Sequence, residues 1–235
     1  QLKKLGQSFY THLLQSIVEN IKLRFMSLRQ VKQAAEIKGH EQAIQLYESQ
    51  KSGLLILTGH FGNWEFAPLA GILNFDQYQG KFFFIRRLLK IKWLEKLLFR
   101  RYYKFGLGVI PSRGSMNQVC DELDAGNSII FVMDQHAVVE NKDGIRVDFF
   151  GKPAGTYRSL ATIARYTGAP VVPAACYRKA DGKHVLHFLD PIPWQEAQTA
   201  QAEIYQNTLA YNQALENIIL AHPEQWMWLH NRWKL

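Results

Sequence analysis

The chain has 235 residues, of which 47% are hydrophobic and 20% are charged. This composition excludes an intrinsically disordered chain and is typical of one globular domain with a single sizeable core. The formal net charge of +8 predicts an acidic partner, such as an anionic membrane surface, an acidic carrier protein or a nucleic acid.

The two cysteines, Cys120 and Cys176, have no spacing typical of a disulfide framework or a metal site, so we expect a reducing compartment. No window is apolar over the roughly 18 residues that a membrane-spanning helix needs. Because the chain begins at Gln1 without a methionine and already has a helical pattern there, it is consistent with removal of an upstream membrane anchor. We expect a single domain, residues 1–235, with a helical part over residues 1–50.

The first predicted elements are helices. Helical spacing predicts one long amphipathic helix over residues 7–28, with apolar positions Phe9, Leu13, Leu14, Ile17, Val18, Ile21 and Phe25. A second helix is predicted over residues 41–50. Gly53 then opens a buried strand that ends near Thr58, and Asn63 is of the residue type that caps a helix, here one running to about Leu73.

Strands and helices alternate along the rest of the chain. Further strands are predicted at 81–85, 108–110, 128–133, 170–177 and 184–189, and helices at 116–126, 157–167 and 200–221. Residues 135–153 form a long polar loop in this prediction, and Asp181-Gly182 predicts a hairpin. The pattern predicts an α/β fold with a mixed, mainly parallel sheet flanked by helices. Sites in such sheets lie beyond the carboxyl ends of strands, where His60 and Asp134 fall.

The segment from Gly59 to Glu65 carries a histidine and a carboxylate. Five positions on one helix separate two side chains by about 140°, so His60 and Glu65 meet only if His60 lies in the loop and Glu65 in the first turn. A nearby helix N-terminus favours the neutral imidazole that a general base requires. Glu65 is then predicted to hold the ring in one tautomer. The alternative is a purely structural histidine and glutamate.

Two sequence blocks carry a resemblance to a known family. The His60-x4-Glu65 motif and the terminal block HPEQWMWLHNRWK, residues 222–234, resemble the late acyltransferases of lipid A biosynthesis, the lauroyl and myristoyl transferases of the lysophospholipid acyltransferase superfamily. The resemblance runs from about residue 6 to the end. Arg113 and Asp134 stand where this family has an arginine ahead of the central helix and an aspartate after the buried strand.

The resemblance implies a single-domain, glycerolphosphate acyltransferase-like fold and transfer of a fatty acyl group from acyl carrier protein, or coenzyme A, to a hydroxyl of a lipid A precursor. It implies His60 as general base, no cofactor beyond the acyl thioester, no metal, and a place at the cytoplasmic face of a Gram-negative inner membrane. Arg113 and Asp134 are expected to complete the site by stabilising negative charge and positioning groups. This chain departs from relatives around the aspartate, with Met133 before it and Gln135-His136-Ala137 after it.

Residues 86–104 carry eight cations against one carboxylate, with Leu, Trp and Phe interleaved. A basic amphipathic helix of this kind suits an anionic bilayer or a phosphorylated headgroup, and it also suits an acidic carrier protein. The alternative is a solvated helix that packs its other face on the core. The membrane or headgroup contacts predicted here are Arg86, Arg87, Lys90, Lys92, Lys96, Arg100 and Arg101.

Other functions are less well supported by the sequence. No recognised nucleic-acid motif, serine-hydrolase elbow or nucleotide-binding glycine pattern occurs. Arg158, at the start of its helix, is predicted either to bind a lipid phosphate or to pair with a carboxylate. Trp226, Trp228 and Trp233 are predicted to be packing residues. Two alternatives remain: the same chemistry on another lipid, such as a lysophospholipid, aminolipid or glycolipid, and a non-catalytic membrane-surface module.

Overall fold

The computed structural model describes residues 2–112, 114–140 and 143–234, without the side chains of residues 94, 97, 98 and 101. Within these ranges the α-helices are α1 (Leu2–Leu23), α2 (Leu28–Gln33), α3 (His40–Glu48), α4 (Ala67–Asn74), α5 (Lys92–Lys104), α6 (Met116–Asp124), α7 (Ser159–Thr167) and α8 (Ala200–Ala221). The strands are β1 (Ala35–Lys38), β2 (Leu55–Thr58), β3 (Phe82–Arg86), β4 (Leu107–Pro111), β5 (Ser128–Val132), β6 (Gly144–Phe149), β7 (Lys152–Tyr157), β8 (Val171–Arg178) and β9 (His184–Phe188).

Seven of the described strands form one mixed sheet in the order β1-β9-β8-β2-β5-β3-β4. All neighbouring pairs are parallel except the hairpin of β8 and β9. Central strands are buried on both faces, and Leu55, Leu57 and Ile129 are fully buried. The predicted α/β class, the mainly parallel sheet and the antiparallel hairpin are confirmed.

The register of the two central strands positions the candidate site. Strand β2 runs parallel to β5, with Thr58 opposite Val132. The carboxyl ends of both strands therefore lie side by side, and the segments that follow them, with His60 and Asp134, leave the sheet at one edge. The prediction that both residues lie beyond strand ends is confirmed.

Two predicted segments are wrong. The chain from 135 to 153 is not one long loop, because β6 alternates buried and exposed residues and pairs with β7 in a separate two-stranded sheet. The helix predicted over residues 7–28 begins earlier and ends earlier, as α1 over Leu2–Leu23, and a separate helix α2 starts at Leu28, where Ser27 and Gln30 form a reciprocal capping box. No helix in the described part of the chain has the length and apolarity needed to cross a bilayer.

Candidate active site

His60 lies in the tight turn between β2 and α4. The backbone of Gly62 in this turn comes close to β8. Gly62 has φ +59°, and a Cβ at this position would lie 1.5 Å from the carbonyl oxygen of Cys176 on β8. Any larger residue would therefore push the turn away from the sheet. Asn63 does not cap α4 directly as predicted; its side chain accepts a hydrogen bond from the N–H of Phe66, in the turn that precedes the helix.

The imidazole of His60 is held by Asp134. Nδ1 of His60 lies 2.9 Å from Oδ1 of Asp134, and the backbone N–H of His60 donates to Oδ2 over 2.7 Å. Asp134 is fully buried and also accepts a hydrogen bond from Nε1 of Trp226, over 2.9 Å. Burial alone would raise the pKa of Asp134, but its hydrogen bonds and the charge of His60 outweigh burial and lower that pKa. Asp134 is therefore poised to remain a carboxylate.

This arrangement corrects the predicted role of Glu65. The Glu65 carboxylate accepts a hydrogen bond from the hydroxyl of Tyr102 on α5, over 2.6 Å, and no hydrogen bond joins it to His60 among the described residues. The predicted contact between Glu65 and the imidazole is wrong, because the turn of residues 64–66 carries Glu65 towards α5 while Asp134 takes Nδ1. Glu65 still lines the same cavity as His60.

The terminal block, residues 222–234, packs against the His60 turn. Its backbone pairs with the His60 turn through hydrogen bonds from Gly62 N–H to the Gln225 carbonyl and from Met227 N–H to the His60 carbonyl. The indole of Trp226 is buried and binds Asp134, so this tryptophan has a role beyond the predicted packing.

Two more aromatic rings pack around the imidazole. The rings of Trp64 and His230 meet that of His60 edge to face, with centroid distances of 5.4 and 4.7 Å. Burial lowers the pKa of His230. Donor atoms of His60, Asp134 and His230 lie close enough to hold a cation. Both oxygens of Asp134 already accept hydrogen bonds, from His60 and Trp226.

Sequence reasoning missed the contacts of Tyr102, Trp226 and His230. Only the terminal block offered a signal for the last two, since a polar tip on a buried aromatic residue needs a partner. Tyr102 lies within the basic segment, where nothing in the residue pattern indicates its contact with Glu65.

A cavity of about 1280 Å³ opens beside His60. Its polar wall includes Glu65, Arg86, Arg87 and Arg158. Its remaining wall is largely apolar and runs beneath α4 to β8 and β9, along Ile56, Pro68, Gly71, Ile72, Phe75, Phe82, Phe84, Ile130, Ala174, Leu186 and Phe188. An apolar extension that meets a histidine and several cations can hold an acyl chain and an anionic headgroup together.

The predicted binding arginines have different environments. Arg158 lines the cavity just before α7, and its guanidinium makes no ion pair or hydrogen bond within the described part of the chain. Arg86 also lines the cavity, but it is paired with Glu95 and lies 3.5 Å over the ring of Phe99. Arg113 lies outside the described residues, so its role stays a prediction.

The basic segment is not one helix, because Arg86 ends β3 and α5 begins at Lys92. Arg87, Lys90, Lys92, Lys96 and Arg100 are exposed, whereas Arg86 is partly buried against Glu95; the side chain of Arg101 is outside the described part. Apolar residues are exposed between these cations, including Leu88, Ile91 and Trp93. The membrane contacts predicted for this segment stay a prediction for the exposed cations.

A network of hydrogen bonds and ion pairs links α1 to the His60 turn. Arg178 on β8 binds both carboxylate oxygens of Glu19, over 2.6 and 2.7 Å, and Nδ1 of His12, over 2.8 Å. In turn, Nε2 of His12 lies 3.3 Å from the Gly62 carbonyl, and the Asn63 side chain donates to Glu19. The network therefore links α1 directly to the turn that carries His60.

Replacing Arg178 with alanine is expected to lower the free energy of unfolding by about 3 kcal/mol at pH 7, because it leaves the partly buried Glu19 carboxylate without the guanidinium that contacts both of its oxygens. Urea denaturation measures this change. Arg178→Lys is the control, since it keeps the charge and loses the paired contact, and it should fall between the two. An unchanged unfolding midpoint in Arg178→Ala would contradict the proposed fastening of α1.

The difference between the wild type and Arg178→Ala should shrink as pH falls. Burial would raise the pKa of Glu19, but hydrogen bonds from His184, Arg178 and Asn63 lower it from 4.5 to about 2, so this stabilisation is lost between those values. Burial, with the charge of Arg178, lowers the pKa of His12 from 6.5 to about 4. His12 therefore takes up a proton at a higher pH in the unfolded chain than in the folded one. The free energy of unfolding consequently falls as the pH drops from 6.5 to about 4.

Comparison with known proteins assigns the family. Residues 3–235 match the model of the family described as bacterial lipid A biosynthesis acyltransferase. The chain belongs to this family, which confirms the resemblance inferred from the His60 motif and the terminal block.

Several relatives are acyltransferases of lipids. Phosphatidylinositol mannoside acyltransferase of Mycolicibacterium smegmatis is 26% identical over 188 residues, 77% of this chain and 57% of the relative. That of Mycobacterium tuberculosis H37Rv is 27% identical over 77% of this chain and 54% of its own length. The lipid A biosynthesis lauroyltransferase of Escherichia coli K12 is 37% identical over 90 residues, covering 37% of this chain and 27% of its own length. The chain thus spans little more than half the length of the mycobacterial relatives.

Among solved structures, the 1-acyl-sn-glycerophosphate acyltransferase PlsC of Thermotoga maritima is similar with a TM-score of 0.41 and 14% sequence identity. The alignment covers 91% of this chain and 95% of PlsC. This likeness is too weak to bear on function.

Proposed function

We propose that the protein transfers a fatty acyl group from a thioester to a hydroxyl of a lipid acceptor. The observation that carries the proposal is the buried Asp134 bound to Nδ1 of His60, whose side chain lines a cavity with an apolar extension. Membership of the lipid A biosynthesis acyltransferase family supports it.

The reaction follows from the tautomer that Asp134 sets. With Nδ1–H donating to Asp134, Nε2 of His60 carries the free lone pair and removes the proton of the acceptor hydroxyl. The oxygen attacks the thioester carbonyl, the tetrahedral intermediate collapses with cleavage of the C–S bond, and the imidazolium returns its proton to the departing thiolate. Asp134 stabilises the imidazolium between these steps. No covalent acyl-enzyme is needed.

The acceptor that we propose is a lipid A precursor, with acyl carrier protein or coenzyme A as the donor. Arg158 and Arg87 support an anionic headgroup, because both line the cavity and neither guanidinium has a carboxylate partner among the described residues. Arg113 is proposed to contribute as well. We propose that the reaction takes place at the cytoplasmic face of an inner membrane. The exposed cations and apolar residues between Arg87 and Arg100 support this location, because they suit an anionic bilayer surface.

A second candidate acceptor is a mannosylated phosphatidylinositol. Its support is the identity shared with two mycobacterial phosphatidylinositol mannoside acyltransferases, over a longer stretch than that shared with the lauroyltransferase. Both candidate acceptors carry phosphate, so the same cavity cations suit both.

The test is acyl transfer from defined thioesters to purified acceptors, followed by product mass. Acyl carrier protein and coenzyme A thioesters should each be offered with a lipid A precursor, a phosphatidylinositol mannoside and a lysophospholipid. Transfer to the lipid A precursor alone supports the first candidate, and transfer to the mannoside alone supports the second. Turnover of none of them, by a folded protein, overturns the proposed activity.

Gly71 on α4 offers a test of the acyl site. A Cβ added there would have one neighbour within 4 Å, Cδ2 of Leu186, at 3.3 Å in the apolar wall. Gly71→Leu is therefore expected to fill part of the cavity, so that kcat/KM falls about fourfold for each acyl methylene that no longer fits. Assays with a series of chain lengths measure the shift. Gly71→Ala is the smaller control, and an unaltered chain-length preference in Gly71→Leu would place the acyl chain elsewhere.

A further inference from the structure

Helix α1 buries both apolar and polar residues on its inner face, and its outer face carries a row of exposed apolar residues. The residues that it turns towards the protein include His12, Ser16 and Glu19, which take part in the polar network around Arg178. Its exposed residues include polar ones such as Thr11, Gln15 and Lys22, together with a row of apolar ones. We name this apolar row the outer stripe: Tyr10, Leu14, Ile17, Val18 and Ile21, continued by Phe25 just beyond the helix.

The outer stripe is strongly exposed. Leu14 is 64% exposed, Ile21 56% and Phe25 84%. At 100° per residue the stripe covers an arc of about 100°, opposite the polar positions. A contiguous exposed apolar row of this kind marks a surface for binding a protein or a membrane.

The charges around the outer stripe indicate what kind of partner binds it. Between residues 2 and 33 there are six exposed cations, Lys3, Lys4, Lys22, Arg24, Arg29 and Lys32. The one acidic residue in this range, Glu19, is neutralised by Arg178. An apolar stripe flanked by cations is the pattern of a helix that lies in the surface of an anionic bilayer.

We propose that α1 lies in the surface of an anionic lipid bilayer through its outer stripe. This surface is separate from the cavity and from the basic segment of α5, and the proposal does not depend on the acceptor. Because His12 contacts the carbonyl of Gly62, two residues from His60, a helix bound in this way holds the His60 turn about one helix diameter, some 10 Å, from the lipid.

The first experiment measures vesicle flotation of the 235-residue chain. Replacing Ile17, Ile21 and Phe25 with glutamine is expected to lower partitioning onto phosphatidylglycerol-containing vesicles at least about tenfold, because three apolar side chains no longer enter the lipid. The matched control replaces Tyr166, Tyr205 and Leu220, which are exposed apolar residues of α7 and α8, and should leave binding unchanged. Equal binding by the stripe variant and the wild type overturns the proposal.

A second measurement reports on the stripe itself. Both native cysteines are buried, so Ile17→Cys can be labelled with an environment-sensitive nitrobenzoxadiazole dye, and Leu220→Cys provides the control. Dye emission at position 17 should shift to the blue when anionic vesicles are added, and emission at position 220 should not. Emission that is already blue-shifted without lipid and reverts on dilution would show that a second copy covers the stripe, which overturns the proposal. No change with lipid overturns it as well.

Discussion

Replacing His60 with alanine is expected to lower kcat for acyl transfer by about 10³-fold, because general-base catalysis of this kind contributes roughly 10²–10⁴-fold. The imidazole is 22% exposed, and its Nδ1 hydrogen bond is the main side-chain contact that the change removes. Because Asp134 is fully buried and loses this partner, the melting temperature should also fall, although the carboxylate keeps its hydrogen bond from Trp226. Initial rates at saturating thioester and acceptor, together with a thermal melt, measure both effects.

His222→Ala is the matched control for this change. His222 belongs to the terminal block, stacks on Tyr177 and does not line the cavity. Its rate should stay within a factor of about two of the wild type. If His60→Ala keeps more than a tenth of the wild-type rate while folded, the assignment of His60 as base fails.

Replacing Asp134 with asparagine is expected to lower kcat by roughly 10²–10⁴-fold, for a different reason. The carboxylate accepts hydrogen bonds from His60 Nδ1–H, His60 N–H and Trp226 Nε1–H. An amide has one oxygen for these donors and turns its own N–H groups towards at least one of them. The imidazole then loses its fixed tautomer and the charge that stabilises its protonated form.

The pH profile of kcat separates this role from that of Glu65. Asp134→Asn should displace the profile, because it removes the negative charge that lies 2.9 Å from the imidazole that transfers the proton. Glu65→Gln should keep the wild-type profile and act mainly on KM, since Glu65 lines the cavity and binds Tyr102. A displaced profile in Glu65→Gln and an ordinary one in Asp134→Asn would restore the arrangement predicted from the sequence. Trp226→Phe, which removes one donor to Asp134, should cause a smaller loss.

Features that depend on neighbours in sequence were predictable. The bounds of α8 at residues 200–221 and the hairpin around Asp181-Gly182 follow from periodicity and turn chemistry, and both are confirmed. His60 was correctly placed in a loop after a buried strand, because a short apolar run bounded by glycine is a local signal.

Features that depend on strand order were not predictable. The partner of His60 lies 74 positions away and meets it only because β5 pairs with β2, an adjacency that no local pattern encodes. Glu65 was the nearest carboxylate in sequence and was preferred for that reason. The orientation of α1 has the same origin, since Arg178 is 159 positions from Glu19 and turns the side of the helix that carries Glu19 inward.

The pairing of the terminal block with the His60 turn has a consequence for synthesis of the chain. Gln225, Trp226 and Met227 supply backbone and indole contacts to residues 60–62 and 134. During translation, the turn and Asp134 leave the ribosome long before these last residues. The geometry of the His60 site is therefore assembled only after residues 225–227 have been synthesised, and such long-range closure is a slow step in folding. Shortened products that end before residue 225 would keep the histidine and the aspartate but lack the contacts that hold them in register.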